Sequence, residues 1–591
     1  MRSLARSFSL FFAISLLATA AFGQNADRKG SPFDGLRWNG DAPEVLVESE
    51  WYTPRSIHRV PVSEILEFCD QRWPGQRQKR FTEDLVEALQ LMGHALPTHV
   101  DLDVTKLSDG TQLTLEQIEV TRDKRQALRR ANTRAAPRAS QPAMLTRADA
   151  LADLDEFSRR LQDQFAYLEL GDFDWQTELD TLRSALPAQV PTPWLADNLA
   201  RFVAQFRDGH ASTSSELRSR PALFPPFLLQ DADGGVVAFL PDRSGFLDAE
   251  HPFVLEIDGV AIDEWIARAS ELVARGSPQL VRWRALGGLR ALELLRAPED
   301  NAKAGSVRVT LAGADGATPV EREFAMTASR PMFGTWPAHD TALLDGNVGY
   351  LRLPAMDDRL LPHLHESMAA FRETDGLIVD VRGNGGGTRT LLLALGGYLT
   401  GPDEGPWVGN VAKYILSKRF DRDHLEARFM ARATDARWND AQAAVVAAMA
   451  ESFEPEWDAP GAFSEWHYLV VDPLGHDADF FYDKPVIVLS DAGCFSATDI
   501  FLGALSGRPR VTLMGSASSG GSARSQSFAL PHSRIEVRCA SMASFRTDGR
   551  LYDGRGIEVD VQVEIQATDL LRGGTDSVLA AALERLRASA R

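Results

Sequence analysis

Four short apolar runs in the second half of the chain have the continuity of strands buried on both faces: residues 348–353, 377–381, 486–489 and 511–514. Such short, mostly apolar runs fit buried strands. Helical spacing fills the intervals, so residues 340–591 predict an α/β domain. Upstream, Leu151, Leu154, Phe157, Leu161, Phe165 and Leu168 recur at steps of three and four, one apolar stripe of a packing helix. A second helix is predicted over 194–206, closed by Gly209 as its C-terminal cap, so residues 146–220 read as helical. Residues 24–125 read as a small α/β unit, with strands in 51–62 and 99–104 and a helix over 81–92. Residues 126–145 are rich in Arg, Ala and Pro and read as a linker, with Arg129, Arg130, Arg134 and Arg138 a solvated charge run. Residues 221–335 return to strand patterning around FVLEIDGVAI (253–262), with a helical insertion over 264–301. Residues 56–69 (SIHRVPVSEILEFC) parallel 256–269 (EIDGVAIDEWIARA), and Asp109-Gly110-Thr111 parallels Asp315-Gly316-Ala317. An internal repeat or chance similarity would each account for this.

Two of the buried runs lead into chemistry. After 486–489 comes a turn, Ser490 to Gly493, and then Ser496-Ala-Thr-Asp499 ahead of an apolar run. Ser-x-x-Asp marks a helix start, and a helix N-terminus favours negative charge developing beside it. Ser496 is therefore either a plain N-cap or a hydroxyl presented on a rigid element. The run 377–381 leads into Arg382-Gly-Asn-Gly-Gly-Gly387, whose backbone N–H groups could face an oxyanion. No Gly-Lys-Ser/Thr follows, so a phosphate-binding P-loop is not indicated.

Together these stretches resemble the tail-specific (C-terminal-processing) serine protease family, which includes the tricorn core proteases. Asp380, Arg382, Asn384, Gly386 and Gly387 match its D-x-R-x-N-x-G-G strand end. Ser496, Ala497, Asp499 and Ile500 match its nucleophile helix, with Asp for Glu. Asp553-Gly-Arg-Gly-Ile-Glu-Val-Asp560 matches its C-terminal G-x-G-I/V-x-P-D, with Val559 for Pro. The resemblance implies a crotonase-like ββα-spiral protease core at 340–591, a PDZ-like domain at 221–335 and an N-terminal α/β plus helical region. The repeat, if real, would make 24–125 a second, divergent PDZ-like unit. A PDZ-like domain adds an extended peptide to an exposed sheet edge.

Composition narrows the partners. The formal net charge of -19 argues against nucleic acid or anionic membrane, and weakly favours a basic peptide. Arg2 and Arg6, an apolar run over 8–22 and small residues up to Gly23 read as a secretory signal peptide, 1–23. The expectation is an exported protein, periplasmic or secreted, without a membrane span or lipid anchor. Cys69, Cys494 and Cys539 are too few for a disulfide framework, though one bridge is possible. Neither a metal cluster nor a cofactor fingerprint stands out. Residues 401–483 carry several aromatics (Trp407, Phe420, Trp438, Trp457, Trp466), as scaffold or as a cleft wall.

A serine needs a base to take its proton. In the tail-specific branch that base is a lysine after the nucleophile helix. Gly521 stands at the matching position, and no lysine follows Val486. Arg524 cannot serve, because guanidinium does not deprotonate. Cys494, two residues before Ser496, reads as a packed residue rather than a rival nucleophile. By resemblance to the tricorn branch, the base is His210, in Asp-Gly-His-Ala, and the orienting acid is Asp553. Ser496, His210 and Asp553 would form a Ser–His–Asp triad, with an oxyanion hole from the N–H of Ala497 and that of Gly386 or Gly387. Asp499 is expected to be structural, and Asp380 and Arg382 to pair within the fold. The implied activity is hydrolysis of polypeptides through an acyl-enzyme. The alternative is a catalytically inactive, peptide-binding relative.

Overall fold

The computed structural model describes residues 30–72, 76–94, 97–135, 140–296, 305–313, 318–417 and 425–589, so the signal-peptide reading falls outside the described residues. The chain divides into two compact units at residues 140 and 141. No helix among the described residues is long and apolar enough to cross a membrane.

In the first unit, Gly35–Asn39, Ala42–Val47, Glu50–Ile57, His99–Lys106 and Gln112–Glu119 form an antiparallel sheet in that order, with Val60–Pro61 hairpinned onto Glu50–Ile57. Val45, Val47, Ile57, Val100, Leu102 and Val104 pack against Ile65, Cys69, Phe81, Leu85 and Leu89 of the helices. The single helix expected over 81–92 is instead two, Arg77–Glu83 and Leu85–Leu91. They break at Asp84, whose carboxylate accepts Arg80 at 2.9 Å and Arg125 at 2.7 Å. Of the expected linker 126–145, the first part belongs to a helix, while the boundary between the two units, at 140 and 141, falls within it. Arg122–Ala135 is a helix, because Ala and Arg are strong helix formers and Leu128 supplies a buried anchor. Of its arginines, Arg129 lies 3.9 Å from Glu83, so the run is not purely solvated.

The second unit contains a sheet of the same order: Leu228–Ala232, Gly235–Phe239, Phe253–Ile257, Ser306–Ala312 and Val320–Ala325, with Val260–Ala261 hairpinned onto Phe253–Ile257. The suspected repeat thus has a structural counterpart in detail. Ile57 pairs with Val60 and Ile257 with Val260. Both two-residue turns take positive φ, at His58-Arg59 and Asp258-Gly259, as such hairpins require. Both sheets carry an irregularity between equivalent residues, Pro54/Ser56 and Val254/Glu256.

The helices Arg147–Gln164, Trp175–Ala185 and Thr192–Ala204 form the helical region, with Leu154, Phe157, Leu161 and Phe202 in its core. The strand Ser212–Ser214 then pairs with Glu536–Ala540, delivering residue 210 to the C-terminal part of the chain. The largest core lies around a sheet ordered Ala342–Leu344, Val348–Arg352, Gly376–Asp380, Val486–Ser490, Val511–Gly515 and Val561–Gln562. All pairings after the first are parallel. Successive side chains alternate between faces. Leu377, Val379, Val486 and Val488 enter the core with helices Thr390–Leu399 and Ala497–Leu505. Ile378, Ile487 and Leu489 pack instead on Val578, Ala582 and Leu586 of the C-terminal helix. In 401–483, Trp457 and Trp466 pack against the core shared with the helical region, which is a scaffold role; Phe420 lies outside the described residues.

Asp380 and Arg382 do pair. Asp380 is fully buried and accepts the Arg382 guanidinium at 2.6 Å and Tyr350 at 2.7 Å. Burial opposes its charge, but Arg382 outweighs that and holds the carboxyl below its ordinary range. Arg382 also grips Asp576, just ahead of the C-terminal helix, at 2.7 and 2.8 Å. Removing one partner of such a buried network leaves an uncompensated charge. Arg382→Met should therefore lose about 3–5 kcal/mol of stability in urea unfolding. A loss under about 1 kcal/mol would mean that the network does not hold the sheet to that helix.

Candidate active site

The strands Gly376–Asp380 and Val486–Ser490 are parallel neighbours, with Asp380 paired to Leu489. The glycine loop and the serine turn therefore leave the sheet at the same edge, the carboxyl ends of its strands, where open α/β sheets place their sites. Asn384 locks the two together. It is fully buried, and its Oδ1 accepts Gly386 N–H at 2.9 Å and Thr498 Oγ1 at 2.8 Å. Its Nδ2 donates to the Leu353 carbonyl at 2.8 Å, and its own carbonyl accepts Phe495 N–H at 3.0 Å. Gly386, at φ +99°, lies so close that a Cβ there would sit 2.7 Å from the Ser496 Cβ.

Ser496 is at φ 64° and ψ −118°, a conformation that costs a residue with a Cβ about 1–3 kcal/mol. It precedes the helix Ala497–Leu505, yet its side chain does not cap that helix. Its Oγ lies 3.0 Å from His210 Nε2. The plain N-cap reading is thereby replaced.

His210 is fixed from behind by Asp208, which accepts the backbone N–H of His210 and of Ala540, each at 2.8 Å. Asp208 is fully buried, and burial pushes its carboxyl up to about 6 against those two bonds. Gly209 is not a helix cap, because the helix ends at Ala204 with Gln205 as its cap. Gly209 instead leaves room for the Phe495 ring, whose Cε2 would meet a Cβ at 2.9 Å. That ring lies on the imidazole, centroids 4.5 Å apart and planes tilted by 33°. At Gly521 a Cβ would come 2.4 Å from the same ring carbon. Phe495 therefore fills the space that a lysine at position 521 would need.

Asp553 lies beside the imidazole. One oxygen each from Asp208 and Asp553 and one ring nitrogen of His210 fall within 4.8 Å of one another. Asp553 Oδ2 accepts Tyr167 Oη at 2.9 Å and Ser522 N–H at 3.2 Å. Asp553 Oδ1 and His210 Nδ1 are enclosed and lack a partner. The structure thus brings His210 and Ser496 into hydrogen-bond contact and places Asp553 nearby, without a bond from acid to imidazole. A cation on this trio is disfavoured, because Asp208 is committed to backbone N–H groups and His210 Nε2 to Ser496.

Burial lowers His210 to about 3, and the charges of Arg538, Arg284 and Arg428 act the same way. The imidazole is neutral near pH 7 and can accept a proton. Burial, then the charge of Asp208, pushes Asp553 up to about 8. Among the described residues, the N–H groups of Ala497 and Gly387 have no partner, as the first N–H of a helix normally lacks one. Gly386 cannot donate to an oxyanion, since its N–H is bound to Asn384; this corrects its place in the expected set. Asp499 is structural as expected: it accepts Ser518 Oγ at 2.5 Å, Gly520 N–H at 2.9 Å and Gly521 N–H at 3.1 Å, tying that loop to the helix. All three cysteines are free and buried, so the possible bridge is absent. Burial raises the Cys494 thiol well above its ordinary value, which makes it a poor nucleophile.

Sequence reasoning missed Tyr167, Phe495 and the anchoring role of Asp208. Asp208 stood inside the quoted Asp-Gly-His segment. Tyr167 carries no signal, since it sits 386 residues from the carboxylate that it holds.

Residues 347–563 match the sequence model of Peptidase family S41. Among solved structures, mature CPAF complexed with lactacystin is similar at 17% identity, covering 75% of this chain and 97% of that one, with a TM-score of 0.53. A crystal structure of mature CPAF gives 16% identity, 75% and 96% coverage and the same score of 0.53. At that identity the likeness is one of fold. No curated protein matches significantly.

The packing around Phe495 makes a test. Gly521→Lys should expel the ring and separate His210 from Ser496. Labelling of Ser496 by a fluorophosphonate should then slow by about 100-fold or more. Faster labelling would show that a lysine fits and acts there.

Proposed function

We propose, from the premise that this chain is a serine peptidase of the S41 family, that it cleaves polypeptides through an acyl-enzyme on Ser496, with His210 as base and Asp553 as the acid that steadies it. The observation that carries this reading is the 3.0 Å contact between Ser496 Oγ and His210 Nε2. His210 Nε2 takes the hydroxyl proton as Oγ attacks the scissile carbonyl. The N–H groups of Ala497 and Gly387 receive the developing oxyanion, a contribution of about 3 kcal/mol per donor. His210 then passes its proton to the leaving amine, and water releases the acyl group by the reverse sequence. As the imidazole becomes charged, Nδ1–H turns to the free Oδ1 of Asp553, whose other oxygen Tyr167 and Ser522 already hold.

The absent lysine would favour a passive peptide receptor. A neutral histidine against a strained serine answers that objection. Two finer readings extend the proposal. The sheet within 221–335 acts as a PDZ-like module that presents substrate by strand addition, and the N-terminal segment 1–23 directs export.

Ser496→Ala and His210→Ala should each reduce peptide cleavage by at least about 10³-fold. Near-normal turnover in His210→Ala would remove His210 as the base. The pH profile tests Asp553 separately. Its ionised form is needed to hold a charged imidazole, and its pKa is raised to about 8, so cleavage should climb as pH rises through that value. Tyr167 donates to the carboxylate and lowers that pKa, so Tyr167→Phe should move the acid limb of kcat/KM to higher pH. A limb that stays in place would exclude Tyr167 from that role.

A further inference from the structure

Three arginines surround the Ser496–His210 pair, and none forms an ion pair with a carboxylate of the described residues. Arg284 comes from the helix Pro278–Gly288. Its Nη1 donates to the Gly209 carbonyl at 2.7 Å, and its guanidinium lies 4.6 Å over the Phe495 ring that covers His210. Arg538 comes from the strand Glu536–Ala540, opposite Ser212, two residues beyond His210; its Nε donates to Ser525 Oγ and the residue is exposed. Arg428 is half-buried, and its carbonyl accepts Arg389 Nη1 at 3.2 Å. Arg389 is fully buried two residues beyond Gly387, and its Nε and Nη2 have no partner. The charges of Arg284, Arg428 and Arg538 all reach the imidazole, and those of Arg428 and Arg538 reach each other.

The acids of the site offset this group only in part: Asp208 acts on Arg284 and Arg538, and Asp499 on Arg284, but none of them reaches a guanidinium as an ion pair. Asp208, Asp499 and Asp553 lie buried behind the pair, each already held by backbone N–H groups. Arg284 and Arg428 are partly buried, and with the exposed Arg538 they set like charges close together without a direct carboxylate partner, an arrangement that favours an anion arriving from outside. Guanidinium groups match the geometry of a carboxylate. The local field is thus opposite to the net charge of the chain, -19, which on its own would draw basic peptides.

We propose that Arg284, Arg428 and Arg538 form a carboxylate-binding subsite beside Ser496, so that the enzyme prefers substrates with aspartate or glutamate next to the scissile bond. This rests on the peptidase reading given above. The occupant is a side-chain carboxylate within an extended peptide. No basic side chain would be accepted at that position.

The test uses fluorogenic peptides blocked at both ends that differ only by Glu or Gln at positions flanking the cleaved bond. The full-length protein should cleave at least one Glu peptide about tenfold faster in kcat/KM than its Gln twin. That ratio should shrink at about 0.5 M salt. In a variant carrying Arg428→Gln and Arg538→Gln it should approach one, while Arg538→Lys alone should retain part of it. Fluorophosphonate labelling of Ser496, run in parallel, separates the outcomes. Labelled, active enzyme that treats each Glu and Gln pair alike overturns the subsite and leaves the peptidase standing. Folded enzyme that neither labels nor cleaves any peptide overturns the peptidase reading and the subsite with it. Unblocked Gln peptides that match blocked Glu peptides would assign the arginines to a chain terminus and also overturn the side-chain proposal.

Discussion

The hydrogen bonds of one buried amide, Asn384, hold the site together. Two parallel strands end side by side, and each releases a loop with no regular partner. Asn384 joins those loops through Gly386, Phe495 and Thr498 and anchors them to Leu353. A serine at φ 64° persists only where its surroundings over-determine it. Here the constraint comes from the glycine loop pressed beneath it, the helix beyond it and the amide between them. The same bonding decides which N–H groups remain free: Gly386 is consumed, while Gly387 and Ala497 are not.

Around that frame, an aromatic ring stands where the resembling family keeps a lysine. Phe495 needs the bare backbone of Gly209 on one side and of Gly521 on the other. It covers the imidazole and takes it out of water, which favours the neutral form that can act as a base. A lysine at position 521 would therefore disturb more than its own position. The ring, the two glycines and a histidine fixed by a buried aspartate are packed as one unit.

Burial also sets the electrostatics. Three aspartates in the interior behind the site have carboxyls raised by desolvation, while the charges of three arginines reach His210. Overall composition gives the opposite sign. Net charge sums mostly solvated side chains, whereas the surroundings of Ser496 are set by the few charges that share its low-dielectric environment. The two sheets, at 35–119 and 228–325, share strand order and a two-residue turn at the same place.

By itself the sequence determined the buried strands, because runs such as 376–380 and 486–490 are apolar at nearly every position; their parallel pairing came from the structure. It also determined the glycine loop and the serine turn, whose spacing is local. It could not distinguish a linker from a helix at 122–135, since that depended on whether Leu128 found a core. Nor could it distinguish Gly386 from Gly387 as an N–H donor, since that depended on where Asn384 points. The partnership of Tyr167 with Asp553, the ring in place of a lysine and the arginines around the site were decided only in three dimensions. Each joins residues far apart in the chain, and no periodicity or local motif records a contact that exists only once the core has closed.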